Sequence, residues 1–306
     1  MYGITERPFA QDMPQLYGDW GVDSEIGTLR SVLMRRGGKE IEGITDPAAM
    51  AMKSCWDPGK VRAQQDEIMD LYRANGIEVN LIEDMDETKP NAIYCRDLVF
   101  MTPEGAIIAR PAAECRVGEE IYALRQVVKL GVPIVRTINS DGIFDGACGL
   151  WLDRETCMMG YGLRCNRSGY EQVAFELRNM GVKNVIPVEI PRGMAHLDSF
   201  MSVVDTHTVL VLRMAAPNSV YTTLLERGFQ IIDIPDYDEF RGFCQNSVAL
   251  RPGKIVMPTG CPKTVAALEK AGVEVIQVDL SEVMKGNGAV HCMTAFLKRD
   301  SVPLYH

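Results

Sequence analysis

Five side chains of this 306-residue chain could act together on one electrophilic carbon: Asp97, Asp145, His196, Asp198 and Cys292. His196 and Asp198 stand two apart in "AHLDSF", ahead of the β-forming run "MSVV". On a strand, positions i and i+2 share a face. A cysteine is a good nucleophile as its thiolate, although its ordinary pKa is about 8.5, and a bound cation lowers that value. A histidine serves as general acid and base. Paired carboxylates clamp a planar cation that carries several N–H donors. A cationic, electrophilic carbon held by carboxylates beside a thiolate describes a guanidinium.

Each residue also has a plainer explanation. Asp97 could belong to a turn or pair with Arg96 or Arg110. Asp145, in "FDGA", suits a β-turn before glycine. His196 could be a satisfied, partly buried imidazole and Asp198 a turn carboxylate. The chain has nine cysteines, and free cysteines are most often packed core thiols. His291 could itself be a base, but on a strand it would face away from Cys292. Taken singly, these plainer readings are favoured. They do not explain the register in which the residues fall.

That register comes from an internal repeat: a helical stretch, a glycine, then a short run of β-formers. It reads "LYRANGIEVNLIE", "LRQVVKLGVPIVRTI", "LRNMGVKNVIPVEI", "LLERGFQIIDIP" and "LEKAGVEVIQVDL". Each glycine suits the position just past a helix, where φ is positive. Each following run alternates or is continuously apolar, as strands do. The glycines are Gly76, Gly131, Gly181, Gly228 and Gly272, at steps of 55, 50, 47 and 44. Five such units predict five αβ modules closing around an axis as one domain over residues 1–306, with 1–25 an irregular N-terminal arm. Asp97, Asp145, His196, Cys244 and Cys292 follow the five glycines by 21, 14, 15, 16 and 20 residues. Similar offsets in equivalent modules place these residues at one end of the axis, in one pocket. Cys244 is the thiol most easily mistaken for the nucleophile.

Composition narrows the function classes. The net charge is −9 and the isoelectric point about 5.1, which argues against nucleic acid or an anionic membrane as partner. No apolar run approaches the roughly 18 residues of a membrane span. The N-terminus has neither the basic start nor the apolar stretch of a signal peptide. An odd number of cysteines, no CxxC pair and four histidines predict reduced thiols in a cytoplasmic protein rather than disulfides or a zinc site. No cofactor and no metal is expected, and homo-oligomerisation is left open.

These residues resemble the guanidino-group-modifying penteins: arginine deiminases, dimethylarginine dimethylaminohydrolases, agmatine deiminases and amidinotransferases. The resemblance runs from about Gly27 onward and implies a five-bladed pseudo-symmetric α/β propeller. "NAIYCRD" is similar to the N-x-x-x-[TS]-R-D segment of arginine deiminases, which implies that Asn91 lies near the substrate and Asp97 clamps the guanidinium. "RPAAECR" is similar to the "RPGAPSR" of dimethylargininases and implies Arg116 on the substrate carboxylate. "FDG" resembles the start of their "DGGD", so Asp145 would orient the catalytic histidine or bind substrate; Ala147 and Cys148 depart from that motif. "LRCNRSG" resembles "RTNxxG" and implies Arg164 as a second carboxylate ligand. "HLDSF" resembles the "HLD" of deiminases, with His196 as general acid/base and Asp198 as second clamp. "GNGAVHCMT" resembles the "HC-x-T" of agmatine deiminases and amidinotransferases, with Cys292 as nucleophile.

The resemblance implies hydrolysis of arginine or a substituted arginine through a covalent cysteine thiouronium. The alternatives are amidino transfer to an amine and, in another class, a non-catalytic pentein that binds a partner.

Overall fold

The computed structural model describes residues 4–304. Helix α1 (Phe9–Leu16) precedes strand β1 (Leu29–Met34), helix α2 (Pro58–Ala74) and β2 (Glu78–Leu81). A hairpin, helix and strand then recur. They are β3 (Val99–Thr102), β4 (Gly105–Ile108), α3 (Glu119–Lys129) and β5 (Ile134–Thr137), then β6 (Gly149–Asp153), β7 (Thr156–Tyr161), α4 (Arg167–Asn179) and β8 (Asn184–Glu189). The third set is β9 (Met201–Asp205), β10 (Thr208–Val211), α5 (Asn218–Glu226) and β11 (Gln230–Asp233). A short helix α6 (Tyr237–Arg241) leads into β12 (Val248–Arg251), β13 (Lys254–Pro258), α7 (Pro262–Lys270) and β14 (Glu274–Val278). A helical turn α8 (Val290–Met293) and strand β15 (Ala295–Arg299) follow.

The strands form five three-stranded sheets, each with one antiparallel and one parallel pairing. The antiparallel neighbour needs only a tight turn, whereas the parallel one needs a crossover, and the repeated helix supplies it. One sheet joins distant parts of the chain. Its middle strand β1 pairs antiparallel with β15 and parallel with β2, which closes the five-fold ring.

The five predicted glycines end the five crossover helices. Their φ angles are +74°, +83°, +88°, +73° and +89°, a region that costs a residue with a Cβ but not glycine. Each glycine N–H bonds a carbonyl three residues back. The next residue, Ile77, Val132, Val182, Phe229 or Val273, bonds a carbonyl five back at 3.0 Å. This is the Schellman arrangement, which satisfies the last helical carbonyls. All five following residues are buried, so each helix stop also seats an apolar side chain. The hairpin strands β3, β4, β6 and β10 are buried throughout, sheathed by helices outside and by neighbouring blades inside.

The expected irregular arm is only partly irregular. Residues 1–3 lie outside the described residues, Phe9–Leu16 is helical, and Val22, Glu25 and Ile26 are buried. The apolar side chains of this segment are few and spread out, which hid both the helix and the packed stretch.

Candidate active site

Each blade's first strand is entered through a short turn at the same end of the ring. Helical turns Cys95–Asp97, Gly146–Cys148 and Leu197–Ser199 lead into β3, β6 and β9, and α8 leads into β15. Gln245, Asn246 and Ser247 occupy the corresponding place before β12. His196 and Asp198 therefore do not share a strand face as the sequence predicts. His196 is the extended residue that caps a 3-10 turn, and Asp198 lies within it. Ser199 fixes the pair, its Oγ accepting the His196 N–H at 3.1 Å.

The turns enclose a cavity of about 720 Å³ lined by Asn91, Asp97, Arg116, Arg164, His196, Asp198 and Cys292. That size suits a small molecule, for which sites of roughly 300–1,000 Å³ are usual. Asp145 lies behind this lining, fully buried. Its Oδ2 accepts from His196 Nε2 at 3.0 Å and its Oδ1 from the Ala112 N–H at 2.9 Å. His196 Nδ1 lies 3.7 Å from Asp97 Oδ1 and 3.8 Å from Asp198 Oδ1. Burial disfavours charge on His196, but Asp97, Asp145 and Asp198 outweigh it and hold the pKa above the ordinary histidine value. The imidazolium is the form this pocket prefers. Burial likewise opposes charge on Asp145, and the bond from His196 outweighs it, leaving that carboxyl below its usual range.

Asp97 has one oxygen engaged and one free. Oδ2 takes a short ion-paired bond from Arg116, while buried Oδ1 has no hydrogen-bond partner. An orphaned carboxylate oxygen is costly, and this one belongs to a residue that lines the cavity.

The two arginines expected on a substrate carboxylate both line the cavity. Arg116 is buried and much of its guanidinium is engaged within the protein. Besides Asp97, it bonds Glu119 Oε2 at 2.8 Å and the carbonyls of Asn91 and Tyr94 at 3.2 and 3.1 Å. It holds Asp97 in place while still lining the cavity. Arg164 faces the cavity, with Nη1 3.4 Å from Asp145 Oδ2. The Asn91 side chain lines the cavity and donates to the Met50 carbonyl at 2.7 Å, pinning the 46–53 segment at the rim.

Cys292 Sγ accepts from Asn246 Nδ2 at 3.1 Å and lies 3.7 Å from Asp198 Oδ2. Burial pushes this thiol well above its ordinary pKa, and Asp198 and Asp97 push it further; the Asn246 donor opposes them. These surroundings favour the protonated thiol over the thiolate.

Three participants were missed or misjudged in the sequence. Asn246 also takes the His291 N–H on its Oδ1 at 2.9 Å. It stands two residues before β12 as Asp97 stands two before β3, so counting from the strand finds it where counting from the glycine found Cys244. Cys244 is wholly buried. His291 does not face away, because Val290–Met293 is a helical turn rather than a strand. Its Nδ1 donates to Asp198 Oδ2 at 2.8 Å, and its Nε2 lies 3.4 Å from Glu25 Oε2. Glu25 in turn bonds Arg96 at 2.8 Å. No motif in the N-terminal segment marks Glu25.

Asp97, Asp145 and His196 offer ligand atoms within 4.8 Å of one another, a spacing that could hold a metal ion. Asp97 Oδ2 and both Asp145 oxygens are nevertheless already engaged by Arg116, the Ala112 amide and His196. What remains open is the Asp97 Oδ1 edge and the thiol, a set that suits a planar organic cation.

Fold and site together define an α/β-propeller of the guanidino-group-modifying pentein superfamily. Residues 56–299 match the family model described as N,N dimethylarginine dimethylhydrolase, eukaryotic, and the chain belongs to that family. It is 25% identical over 239 residues to the N(G),N(G)-dimethylarginine dimethylaminohydrolase of Pseudomonas aeruginosa, covering 78% of this chain and 89% of that one. It is 28% identical over 234 residues to the Mycobacterium tuberculosis protein of the same name, covering 76% and 74%. A solved structure of the Pseudomonas aeruginosa protein complexed with citrulline superimposes with a TM-score of 0.73 at 23% identity, over 88% of this chain and 99% of that one. An amidinotransferase from Microseira wollei has the same fold, with a TM-score of 0.75 at 15% identity over 94% and 100%. The dimethylarginine dimethylaminohydrolases among its relatives are C–N hydrolases of guanidino groups, and this chain is an enzyme of that class. Among the described residues no helix is long and apolar enough to cross a membrane.

Proposed function

We propose that the protein hydrolyses the guanidinium group of arginine or a substituted arginine through a covalent intermediate on Cys292. The observation that carries this reading is the unpartnered Asp97 Oδ1 in the same cavity as the Cys292 thiol and Asp198. A guanidinium placed there gives Asp97 Oδ1 and Asp198 the N–H donors they accept. Its positive charge offsets the two carboxylates that hold the thiol protonated, so binding promotes loss of the Sγ proton to solvent.

The thiolate then attacks the guanidinium carbon. A C–S bond forms and the C–N π electrons move onto nitrogen. His196, kept protonated by Asp145, Asp97 and Asp198, donates its proton to the leaving nitrogen. The C–N bond breaks and leaves an S-alkylthiouronium. Neutral His196 takes a proton from water, and the resulting hydroxide attacks the same carbon. As the C–S bond breaks, the hydroxyl proton passes to solvent and the C=O forms, so that a ureido product departs with the thiolate restored. In this scheme Arg116 supports Asp97, Arg164 supports Asp145, and Asn246 steadies the thiolate.

Incubation with arginine, methylarginines, agmatine and citrulline, with and without amine acceptors, tests the reading by product mass. A ureido product with release of ammonia or an alkylamine is expected. An amidino group appearing on glycine, ornithine or lysine would make the protein an amidinotransferase instead. No product from any of them would overturn the reading.

A further inference from the structure

Arg116 and Arg164 both line the cavity, and they are held in opposite ways. Arg116 is fixed by Asp97, Glu119 and the carbonyls of Asn91 and Tyr94. Arg164 is partly exposed, and Asp145 is its one side-chain partner among the described residues. Its Nη1 stands 3.4 Å from Asp145 Oδ2, longer than the roughly 2.7–2.9 Å of a close guanidinium–carboxylate bond. The other N–H donors of this guanidinium are left for a ligand.

The Arg164 backbone, by contrast, is anchored. Its carbonyl accepts the Asp145 N–H at 2.9 Å, and the Gly162 N–H bonds Cys165 O at 2.9 Å. Asn166 caps helix α4 and takes the Ile143 N–H on its Oδ1 at 2.9 Å. The β7–α4 connection is thus tied to the segment that carries Asp145, and the Arg164 side chain reaches back to the same residue. The oxygen it meets is the one that accepts from His196 Nε2 at 3.0 Å. Two cationic donors therefore share Asp145 Oδ2, while Oδ1 is taken by the Ala112 N–H. The other charges around His196 are held by bonds of their own. Asp97 and Asp198 lie 3.7 and 3.8 Å from its Nδ1, Arg116 and His291 are each bonded to one of those carboxylates, and Cys292 shares the cavity. Arg164 is the charge in this set whose place a ligand can change.

We propose that Arg164 is a positioning residue that couples the acidic end of a bound guanidino acid to the imidazolium of His196. An anion in the cavity draws the Arg164 guanidinium away from Asp145, and Oδ2 then serves His196 alone. Burial raises the Asp145 pKa, and His196 and then Arg164 outweigh it, so that carboxylate becomes the stronger partner of His196 once the arginine turns away. The ring is held more firmly, a repelling cation is neutralised, and the proton stays on His196 to higher pH. This rests on the hydrolase reading for the role of His196 as the acid. A guanidino compound without an acidic end fills the clamp of Asp97 and Asp198 but leaves Arg164 on Asp145. Selection for an acid then acts on turnover as well as on binding.

Citrulline carries the carboxylate without the guanidinium charge, and it is the probe. The chain has four histidines, so the His196 imidazole can be followed by NMR through pH and assigned with His196→Asn. Millimolar citrulline is expected to raise the His196 pKa by about one pH unit, the lower end of what a single neighbouring charge produces. Arg164→Ala is expected to raise it by a similar amount without any ligand, and citrulline then adds little. Arg164→Lys, which keeps the cation, should restore the ligand-free value of the unmodified protein and most of the response. A His196 that titrates alike with and without citrulline, or that responds equally in Arg164→Ala, overturns the coupling; if arginine is nevertheless hydrolysed, the hydrolase reading stands. A response that needs Arg164, in a protein that turns over no guanidino compound, keeps the coupling and removes the hydrolase reading.

Discussion

His291 Nδ1 lies 2.8 Å from Asp198 Oδ2, the carboxylate oxygen that also lies 3.7 Å from Cys292 Sγ. A carboxylate only accepts, so the ring must donate, and its other nitrogen also faces a carboxylate, Glu25. Burial opposes a charge on His291, but the bonds to Asp198 and Glu25 raise its pKa above the ordinary value. The imidazolium thereby bridges the guanidinium clamp to a buried Glu25–Arg96 pair. Replacing His291 by Ala removes the counter-charge from two buried carboxylates. A loss of about 3–5 kcal/mol in unfolding free energy is expected on that ground, measured by urea denaturation. His291→Asn, which keeps one donor, should retain more stability and more activity. Equal stability of all three proteins would detach His291 from Asp198.

Arg116 separates two roles. As a ligand of the substrate carboxylate, its loss would raise KM for arginine and spare agmatine. As the support of Asp97, its loss strands Asp97 and Glu119 in the interior. Arg116→Ala is therefore expected to lower the thermal midpoint by several degrees and to depress turnover of both substrates alike.

The thiol environment predicts slow chemistry in the absence of substrate. Burial, Asp198 and Asp97 hold Cys292 protonated, so its alkylation by iodoacetamide should still accelerate above pH 8.5, the approximate value of a free thiol. Asn246→Ala removes a donor to sulfur and should move the profile further alkaline. A plateau below pH 7.5 in the unmodified protein would contradict this account. Cys292→Ser should abolish turnover and leave the fold intact.

Stability should fall on both sides of neutrality, for different reasons. His196 and His291 have raised folded pKa values. Their contribution is complete below the unfolded value of about 6.5 and is lost as pH rises through the folded values. Asp145 and Asp198 are lowered, and Glu25 is brought from 4.5 to about 2 because Arg96 and His291 outweigh its burial. Their contribution is complete above the unfolded values and is lost as pH falls through the folded ones. Thermal midpoints across pH read both limbs. The proposed mechanism requires a protonated His196 for amine departure, so kcat should decline on the alkaline side.

The sequence carried the ring more fully than the pocket. A positive-φ helix stop must be written locally, as glycine, and the five stops are spaced evenly enough to count. Asp97, His196, Asp198 and Cys292 line one cavity, with Asp145 directly behind His196, because each lies in or beside a turn that enters a blade. The partners of those residues are set by packing between blades. Arg116 turns toward Asp97 because Glu119, one turn away on α3, draws the same guanidinium. Glu25 reaches His291 from 266 residues away, and no local spacing encodes that meeting. The glycines of "GNG" have a structural reason of their own: a Cβ on Gly286 or Gly288 would collide with Tyr94, and at Gly286 also with Trp56.

The pairing of β15 with β1 has a consequence for how the enzyme comes into being. Leu29 meets Arg299 across that seam, and α8, with the nucleophile, sits immediately ahead of the closing strand. Chains emerge and fold from the N-terminal side. A nascent chain can assemble the Asp97, Asp145 and His196 turns while the reactive sulfur is still unmade. A product terminated after α8 would carry Cys292 yet lack the strand that pairs with β1, so the turn bearing the thiol would have no closed ring to hold it against Asp198 and Asn246.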